Sequence, residues 1–151
     1  MRSRIHAVVL PSEVGEFADD VRQVFVELGR AFGLESLAGE CSPPIDVFET
    51  DSTVEIAVDL PGTDPTAVRI LVRGSAVLVA GEKPSRRARG ESSFHLVERG
   101  FGRFARMVRL GHPCDASRAT AVLDDGVLQI SVPKMAERRG RPIRIVVSAI
   151  G

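Results

Sequence analysis

Residues 121–134 read A-V-L-D-D-G-V-L-Q-I-S-V-P-K, and they predict a β-hairpin. Asp124-Asp125-Gly126 is a turn signal, because Asp favours turn backbone and Gly supplies a positive φ. Apolar side chains alternate with others on both arms: Ala119, Ala121 and Leu123 before the turn, and Leu128, Ile130 and Val132 after it. Pro133 ends the second strand, since proline has no N–H to donate to a ladder.

The same alternation recurs on the N-terminal side of this hairpin. Strands are predicted in 45–59 (two stretches around the Asp51-Ser52 turn), 68–73, 76–80 and 104–110. Turn dipeptides such as Pro61-Gly62 and Gly74-Ser75 separate them. Short strands at this spacing, with Gly or Pro between them, predict an all-β protein built as an antiparallel β-sandwich.

Residues 11–32 predict an amphipathic helix that precedes the sandwich. Its apolar residues recur at spacings of three and four, namely Val14, Phe17, Val21, Val24, Phe25, Leu28 and Phe32. Gly, Ser and the Pro43-Pro44 pair then mark a linker, which places the boundary of an N-terminal arm at residues 1–43. The stripe suits either of two roles. The helix packs on its own domain, or it packs against other subunits or client proteins.

The long connection 81–102 separates two predicted strands. Residues 93–97 within it could form a short strand that pairs with a neighbouring chain and so covers an exposed sheet edge. Its basic cluster (Arg86, Arg87 and Arg89) is interpreted as a solvated loop rather than a nucleic-acid patch.

Arg106 is a charged residue at an apolar position. It shares one strand face with Phe104, Val108 and Leu110. An unpaired buried charge is costly, so this arginine needs a partner. Two interpretations stay open: a contact between subunits, or an arginine at a strand edge whose stem lies on apolar surface while its head reaches water.

The C-terminal residues 142–147 carry Ile143, Ile145 and Val147 on one face of an extended segment. A short terminal strand of this kind is not stable alone. It must dock on its own sheet or on the edge of another subunit.

Composition and motifs exclude several classes of function. The chain has 20 basic and 20 acidic residues, with neither Trp nor Tyr, which argues against nucleic acid and anionic membranes as partners. Two cysteines, Cys41 and Cys114, suggest thiols in a reducing cytosol, and hence a cytoplasmic protein. The three histidines lack metal-ligand spacing, and no phosphate-binding loop or nucleophile elbow is present. We therefore expect no cofactor, no metal and no enzymatic activity.

Several motifs, in order, resemble the α-crystallin domain of small heat-shock proteins of the bacterial type. They are P-I-D-V-F-E at 44–49, D-L-P-G at 59–62, L-V-A-G-E-K at 78–83, F-x-x-x-E-R-G-F-G-R-F-A-R at 94–106, A-x-L-x-x-G-V-L-x-I-x-V-P-K at 121–134 and I-R-I at 143–145. The resemblance implies an immunoglobulin-like sandwich at 44–134, between a helical arm at 1–43 and a C-terminal extension at 135–151.

The resemblance also implies an activity, which is ATP-independent holding of unfolding proteins by a dimer-based oligomer. ATP-dependent refolding chaperones would act downstream. It implies four groups of residues: a client-binding and assembly arm (Val14, Phe17, Val21, Phe25, Leu28, Phe32); a dimer interface (Phe94, Leu96, Glu98, Arg99, Arg106); a tail motif (Ile143, Ile145); and a groove for that tail (Val68, Ile70, Val72, Ala119, Ala121, Leu123).

A second class stays open beside the holdase. A β-sandwich adaptor of the co-chaperone type would bind one folded partner and stay small. An adaptor has no need of an apolar tail beyond a polar linker, so Ile143 and Ile145 favour the holdase.

Overall fold

The computed structural model describes residues 12–32, 41–84 and 93–135, without the side chains of 12–14, 31 and 32. A 3₁₀ turn, Ser12–Phe17, leads into helix α1, Ala18–Phe32. The strands that follow are β1 Ile45–Glu49, β2 Thr53–Asp59, β3 Val68–Arg73, β4 Ala76–Lys83, β5 Gly102–Arg109, β6 Thr120–Asp124 and β7 Val127–Pro133. Two further 3₁₀ turns, Pro65–Ala67 and Ala116–Arg118, precede β3 and β6.

The strands form two antiparallel sheets. One has the order β1-β2-β7-β6 and the other the order β3-β4-β5. The main core lies between them and contains Val54, Ile56, Val58, Leu60, Val77, Val79, Phe104, Val108, Leu110, Leu128, Ile130 and Val132. These residues alternate along their strands as the period-two pattern predicted. The antiparallel β-sandwich with an N-terminal helix is confirmed.

Strand β4 departs from alternation, because Ala76–Glu82 are buried without interruption. Val77 and Val79 face the core between the sheets, whereas Ala76, Leu78 and Ala80 face α1. A strand that is covered on both faces reads as a continuous apolar run. The strand also extends past the predicted end at Ala80, through Gly81 to Lys83.

The β6–β7 hairpin turns where the sequence predicts. Asp125 and Gly126 both have positive φ, 48° and 78°, as expected for a two-residue hairpin turn. The Pro61-Gly62 turn lies against it, since the N–H of Leu60 donates to the carbonyl oxygen of Gly126 at 2.7 Å. Two turns predicted separately therefore pack on each other at one end of the sandwich.

Residues 93–97 do not form the suggested strand within this chain. Residues 93–100 are exposed and make no ladder in the described structure. Strand β5 pairs with β4 on one side only in the described sheet, so pairing with β4 does not exclude a further strand beside it. The expected partner of residues 93–97 is a neighbouring chain, and a strand paired in that way stays a prediction.

Candidate functional site

The apolar stripe of the N-terminal helix packs on its own domain, which is the first of the two roles open above. Phe17, Val21, Val24, Phe25 and Leu28 are each no more than 5% exposed. They form a second core with Ala67, Ala76, Leu78, Ala80 and Ala105. The side chains of Val14 and Phe32 lie outside the described structure. Binding of other subunits or clients by this stripe stays a prediction, and it requires the helix to leave this position.

The surface under the helix is the outer face of the β3-β4-β5 sheet. Strand register places its residues in three rows: Arg73, Ala76 and Arg109; Leu71, Leu78 and Met107; Arg69, Ala80 and Ala105. The central column on β4 is apolar and buried, and its two alanines leave room for the helix. Arginines stand at the sides. We call this surface the outer face below.

Acidic side chains of the helical segment meet three of these arginines. The ion pairs are Glu16 Oε1 with Arg109 Nη2 at 2.8 Å, Asp20 Oδ2 with Arg73 Nη2 at 2.9 Å and Glu27 Oε2 with Arg69 Nε at 3.7 Å. Exposed pairs of this kind contribute roughly 0.2–1 kcal/mol each. Burying one Phe, Leu or Val side chain contributes about 1.5–3 kcal/mol. The stripe therefore supplies most of the attraction, and the charges select the orientation of the helix.

Two arginines also lie over aromatic rings of the helical segment. The guanidinium carbon of Arg73 is 5.4 Å from the centroid of the Phe17 ring, and that of Arg103 is 4.8 Å from the Phe25 ring. Both distances are within the range of cation–π attraction. These contacts hold the helical segment at Phe17, just before α1 begins, and at Phe25, near the middle of α1.

Arg103 faces Glu82 across the β4–β5 pair, at the far end of the outer face. Glu82 is a buried carboxyl residue. Burial lowers the pKa of the Arg103 guanidinium, and the charge of Glu82 opposes that shift. This opposite-charge pair forms the row after Ala80 and Ala105, at the end of the outer face where Phe25 packs.

The interpretation of the sequence missed the arginines of the outer face as a group. A signal was present, because Arg69 and Arg73 are four residues apart on one strand and so share a face. Glu16, Asp20 and Glu27 likewise flank the apolar stripe. Neither pattern shows that the acidic side chains of the helix meet the arginines of the strand. Asp20 and Arg73 are 53 positions apart, so no local spacing links them.

Arg106 lies on the core side of β5 and is partly buried. Its Nη1 donates a hydrogen bond of 2.8 Å to the carbonyl oxygen of Pro43. Pro43 lies just before the start of β1, so this arginine joins β5 to that end of the edge strand. The described partner is within the chain, and a contact between subunits stays a prediction.

Residues 93–100, which contain four of the five predicted dimer-interface residues, form the most exposed apolar stretch of the described structure. Phe94 is 61% exposed and Leu96 is 74% exposed, and Val97 is similarly open. With Glu98, Arg99, Phe101, Lys83 and Pro84 they line a cavity of about 280 Å³. Large apolar side chains at this exposure indicate a surface that a partner covers.

Residues of the predicted groove lie along two edge strands, β3 and β6. Val68, Ile70 and Val72 on β3, together with Ala119 and Leu123, are partly buried against the main core. Ala121 is exposed. The proposed occupants, Ile143 and Ile145, lie outside the described residues.

A charged contact missed by the sequence interpretation joins the end of β1 to two later segments. Glu49 Oε2 lies 3.1 Å from His112 Nε2 and 3.0 Å from Lys134 Nζ. These partners, Lys134 above all, hold the pKa of the Glu49 carboxyl below its ordinary value.

The two cysteines are thiols, each partly buried beside the main core. Burial raises the pKa of both the Cys41 and the Cys114 thiol. Within the described residues, no group of three or more His, Cys, Asp or Glu side chains is placed to hold a metal ion. Over the same residues, no helix is long and apolar enough to cross a membrane.

Comparison with protein families shows a match to the Hsp20/alpha crystallin family over residues 46–148. The 21.9 kDa heat shock protein of Oryza sativa subsp. japonica is 34% identical over 93% of this chain and 76% of its own length. Small heat shock protein C4 of Rickettsia felis is 28% identical over 69% of this chain. This chain spans 64% of that relative, a little under two thirds. Such relatives come from plants as well as bacteria, so they do not single out the bacterial type.

Two solved structures resemble the fold. Heat shock protein 16.0 from Schizosaccharomyces pombe has a TM-score of 0.60 at 30% identity, over 72% of this chain and 99% of that chain. The structure of hspA from Xanthomonas axonopodis has a TM-score of 0.60 at 30% identity, over 64% of this chain and 97% of that chain.

Proposed function

The chain belongs to the Hsp20/alpha crystallin family of small heat-shock proteins, which are non-enzymatic chaperones, and on that premise we propose that it is an ATP-independent holdase. It binds unfolding proteins in the cytoplasm and prevents their aggregation. It works as a dimer-based oligomer and passes clients to ATP-dependent refolding chaperones.

The observation that carries this proposal is the exposed apolar segment 93–100. The side chains of Phe94, Leu96 and Val97 are 61–74% exposed, whereas the residues of both cores are buried. Covering such side chains contributes about 25 cal/mol per Å² of apolar surface, which favours association with a second copy. An unfolding client exposes the same kind of surface, so association by apolar burial also suits capture.

The surface that receives this segment is proposed to be the edge of β1. This strand pairs with β2 on one side only in the described sheet. Its Val47 and Phe48 are exposed, at 45% and 56%. An extended segment of a second copy that pairs with β1 would satisfy the open backbone groups and cover these side chains. Arg106 lies near the same edge, where it donates to the carbonyl oxygen of Pro43. Glu98 and Arg99 flank the segment.

Larger assembly is proposed to use the groove between β3 and β6. The apolar faces of Val68, Ile70 and Val72 border one side, and those of Ala119 and Leu123 the other. Ile143 and Ile145 of a neighbouring chain would fill it. Two buried isoleucines contribute about 1.5–3 kcal/mol each before ordering costs, so this contact exchanges readily.

The proposed organisation keeps an arm at 1–43, the sandwich at 44–134 and an extension at 135–151. Client contacts of the arm would come from its stripe, Val14 to Phe32. Since Phe17 to Leu28 are buried against the outer face, these contacts depend on release of the helix.

The test combines sedimentation velocity with an aggregation assay. Phe94→Ser/Leu96→Ser removes the exposed apolar side chains, and Val122→Ser is the control, an equally exposed valine on β6. We expect wild type and control to sediment as dimers or larger species and to suppress aggregation of reduced insulin without nucleotide. The double variant sediments as a monomer and suppresses poorly. Identical size and suppression in all three proteins would contradict the proposal.

A second variant for the same experiment lacks residues 142–151. A fall from a large assembly to dimers supports the role of the tail. If wild type and the deletion sediment as the same small species and neither suppresses aggregation, the adaptor interpretation replaces the holdase.

A further inference from the structure

We infer that the outer face is a docking site for amphipathic helices of client proteins whose apolar stripe is flanked by acidic residues, with α1 as its resident competitor. This inference rests on the site's contacts and goes beyond the proposed function, because it assigns a surface and a chemical preference to the partner. Its test uses no aggregation assay, so it can fail while the holdase stands, or the reverse.

The shape of the site is the first argument. Ala76, Leu78 and Ala80 form a buried column along β4, and Met107 and Ala105 lie beside Leu78 and Ala80 on β5. Small side chains at the centre let a helix approach closely, and Leu78 between them shares a core with the apolar stripe. This floor receives a helix in the structure itself, since Phe17, Val21 and Leu28 are fully buried on it.

Charge is the second argument. Arg73 and Arg109 flank the first row of the outer face, and Arg69 flanks the third. Each is paired with a carboxylate of the helical segment, at 2.8–3.7 Å. A basic helix placed on this floor would bring like charges to these positions, which is unfavourable. The outer face therefore favours a helix flanked by acidic side chains over an equally hydrophobic helix flanked by basic ones.

Competition is the third argument. The helix and the face belong to one chain, so the resident helix acts at a high effective concentration. An external helix binds in proportion to the fraction of chains in which α1 has left the face. Weakening the resident contact must then tighten external binding, a result that a binding site elsewhere would not produce.

The experiment measures binding of labelled peptides to the full chain by fluorescence anisotropy. The acidic probe has the sequence of residues 12–32. The basic probe is the same peptide with Arg in place of Glu16, Asp20 and Glu27. The protein variant Phe17→Ala/Leu28→Ala weakens the resident helix. We expect it to bind the acidic probe at least tenfold more tightly than wild type does, and to bind the basic probe at least tenfold more weakly than the acidic one.

Charge reversal on the protein tests the site directly. Adding Arg73→Glu/Arg109→Glu to that variant should reverse the preference, so that the basic probe binds better than the acidic one. Arg118→Glu is the matched control, an exposed arginine before β6, and it should leave the preference unchanged. If Arg73→Glu/Arg109→Glu leaves the preference between the two probes unchanged, as Arg118→Glu should, the inference is overturned.

Hydrogen exchange of wild-type chain locates the contact without any substitution. A saturating concentration of acidic probe should raise amide exchange in Ala18–Phe32 while exchange in Val127–Pro133 stays slow. A neutral probe carries the corresponding amide side chains in place of Glu16, Asp20 and Glu27. Raising the salt concentration should weaken the acidic probe more than this neutral probe, because exposed charges are screened. Binding that leaves exchange in α1 unchanged would overturn the inference.

Discussion

The carbonyl oxygen of Ala67 occupies the space in which a side chain at Gly81 would have to lie. A Cβ built at Gly81 would contact that oxygen, and it would also stand 3.0 Å from Phe104 Cζ and 3.1 Å from Val68 Cα. Two of these three neighbours are backbone atoms and cannot turn away. A glycine near the C-terminal end of β4 therefore lets the turn before β3 pack closely on the sheet.

The first prediction is that Gly81→Ala lowers the free energy of unfolding by about 1–3 kcal/mol, through overpacking. Urea unfolding measures it. Gly15→Ala is the matched control, because nothing lies within 4 Å of its added Cβ. Equal stability of Gly81→Ala and wild type would contradict the close approach.

The second prediction concerns the helix contact. Leu28→Ala leaves a cavity at a fully buried position, a change that costs about 2–5 kcal/mol in a packed core. Since the buried residues of α1 pack in a core separate from the one between the sheets, we expect faster amide exchange in α1 and unchanged protection in β7. Val26→Ala, at a position 48% exposed, should change neither. Loss of protection throughout both sheets would show that the helix is not a separate unit.

The third prediction concerns Arg106. Arg106→Met keeps much of the apolar stem but removes the donor to the Pro43 carbonyl oxygen. A partly buried acceptor that loses its partner costs about 1–3 kcal/mol. Urea unfolding of the variant should show this loss, whereas Arg118→Met, at an exposed position, should be neutral. A neutral Arg106→Met would mean that the contact adds nothing to stability.

The fourth prediction is a pH dependence at Glu49. Its pKa is lowered in the folded chain, chiefly by the hydrogen bond from Lys134. The contact therefore stabilises the fold above the ordinary glutamate pKa of about 4.3, and this contribution is lost as pH falls through the lower folded pKa. The melting temperature of wild type should exceed that of Glu49→Gln at pH 7, and the difference should shrink in acid. Asp51→Asn, in the β1–β2 turn, is the control; a difference that grows in acid would contradict the prediction.

The fifth prediction is slow thiol chemistry. Burial raises the pKa of Cys41 and Cys114, so little of the reactive thiolate is present at pH 7. Both thiols should react with a disulfide reagent far more slowly in the native chain than in urea. Serine variants taken one at a time separate the two rates. A native cysteine that reacts as fast as the unfolded one would refute this prediction for that residue.

Local patterns predicted much of this fold. The hairpin at 121–134, the turn at Pro61-Gly62 and the strands around Asp51-Ser52 follow from turn residues and period-two alternation. The exposed segment 93–100 lies in the long connection predicted at 81–102. The proposed partner strand on a second copy could not be found from the sequence, because a contact between copies would leave no period in it.

The candidate site divides in the same way. The sequence by itself predicted an amphipathic helix at 11–32, of which the structure forms Ala18–Phe32 as α-helix and Ser12–Phe17 as a 3₁₀ turn. It also determined that Arg69 and Arg73 share a strand face, because residues alternate in a strand. Only the tertiary structure decided that the helix covers the outer face and that Asp20 meets Arg73. That contact joins residues 53 positions apart, and an apolar stripe specifies that it must be buried without specifying against what.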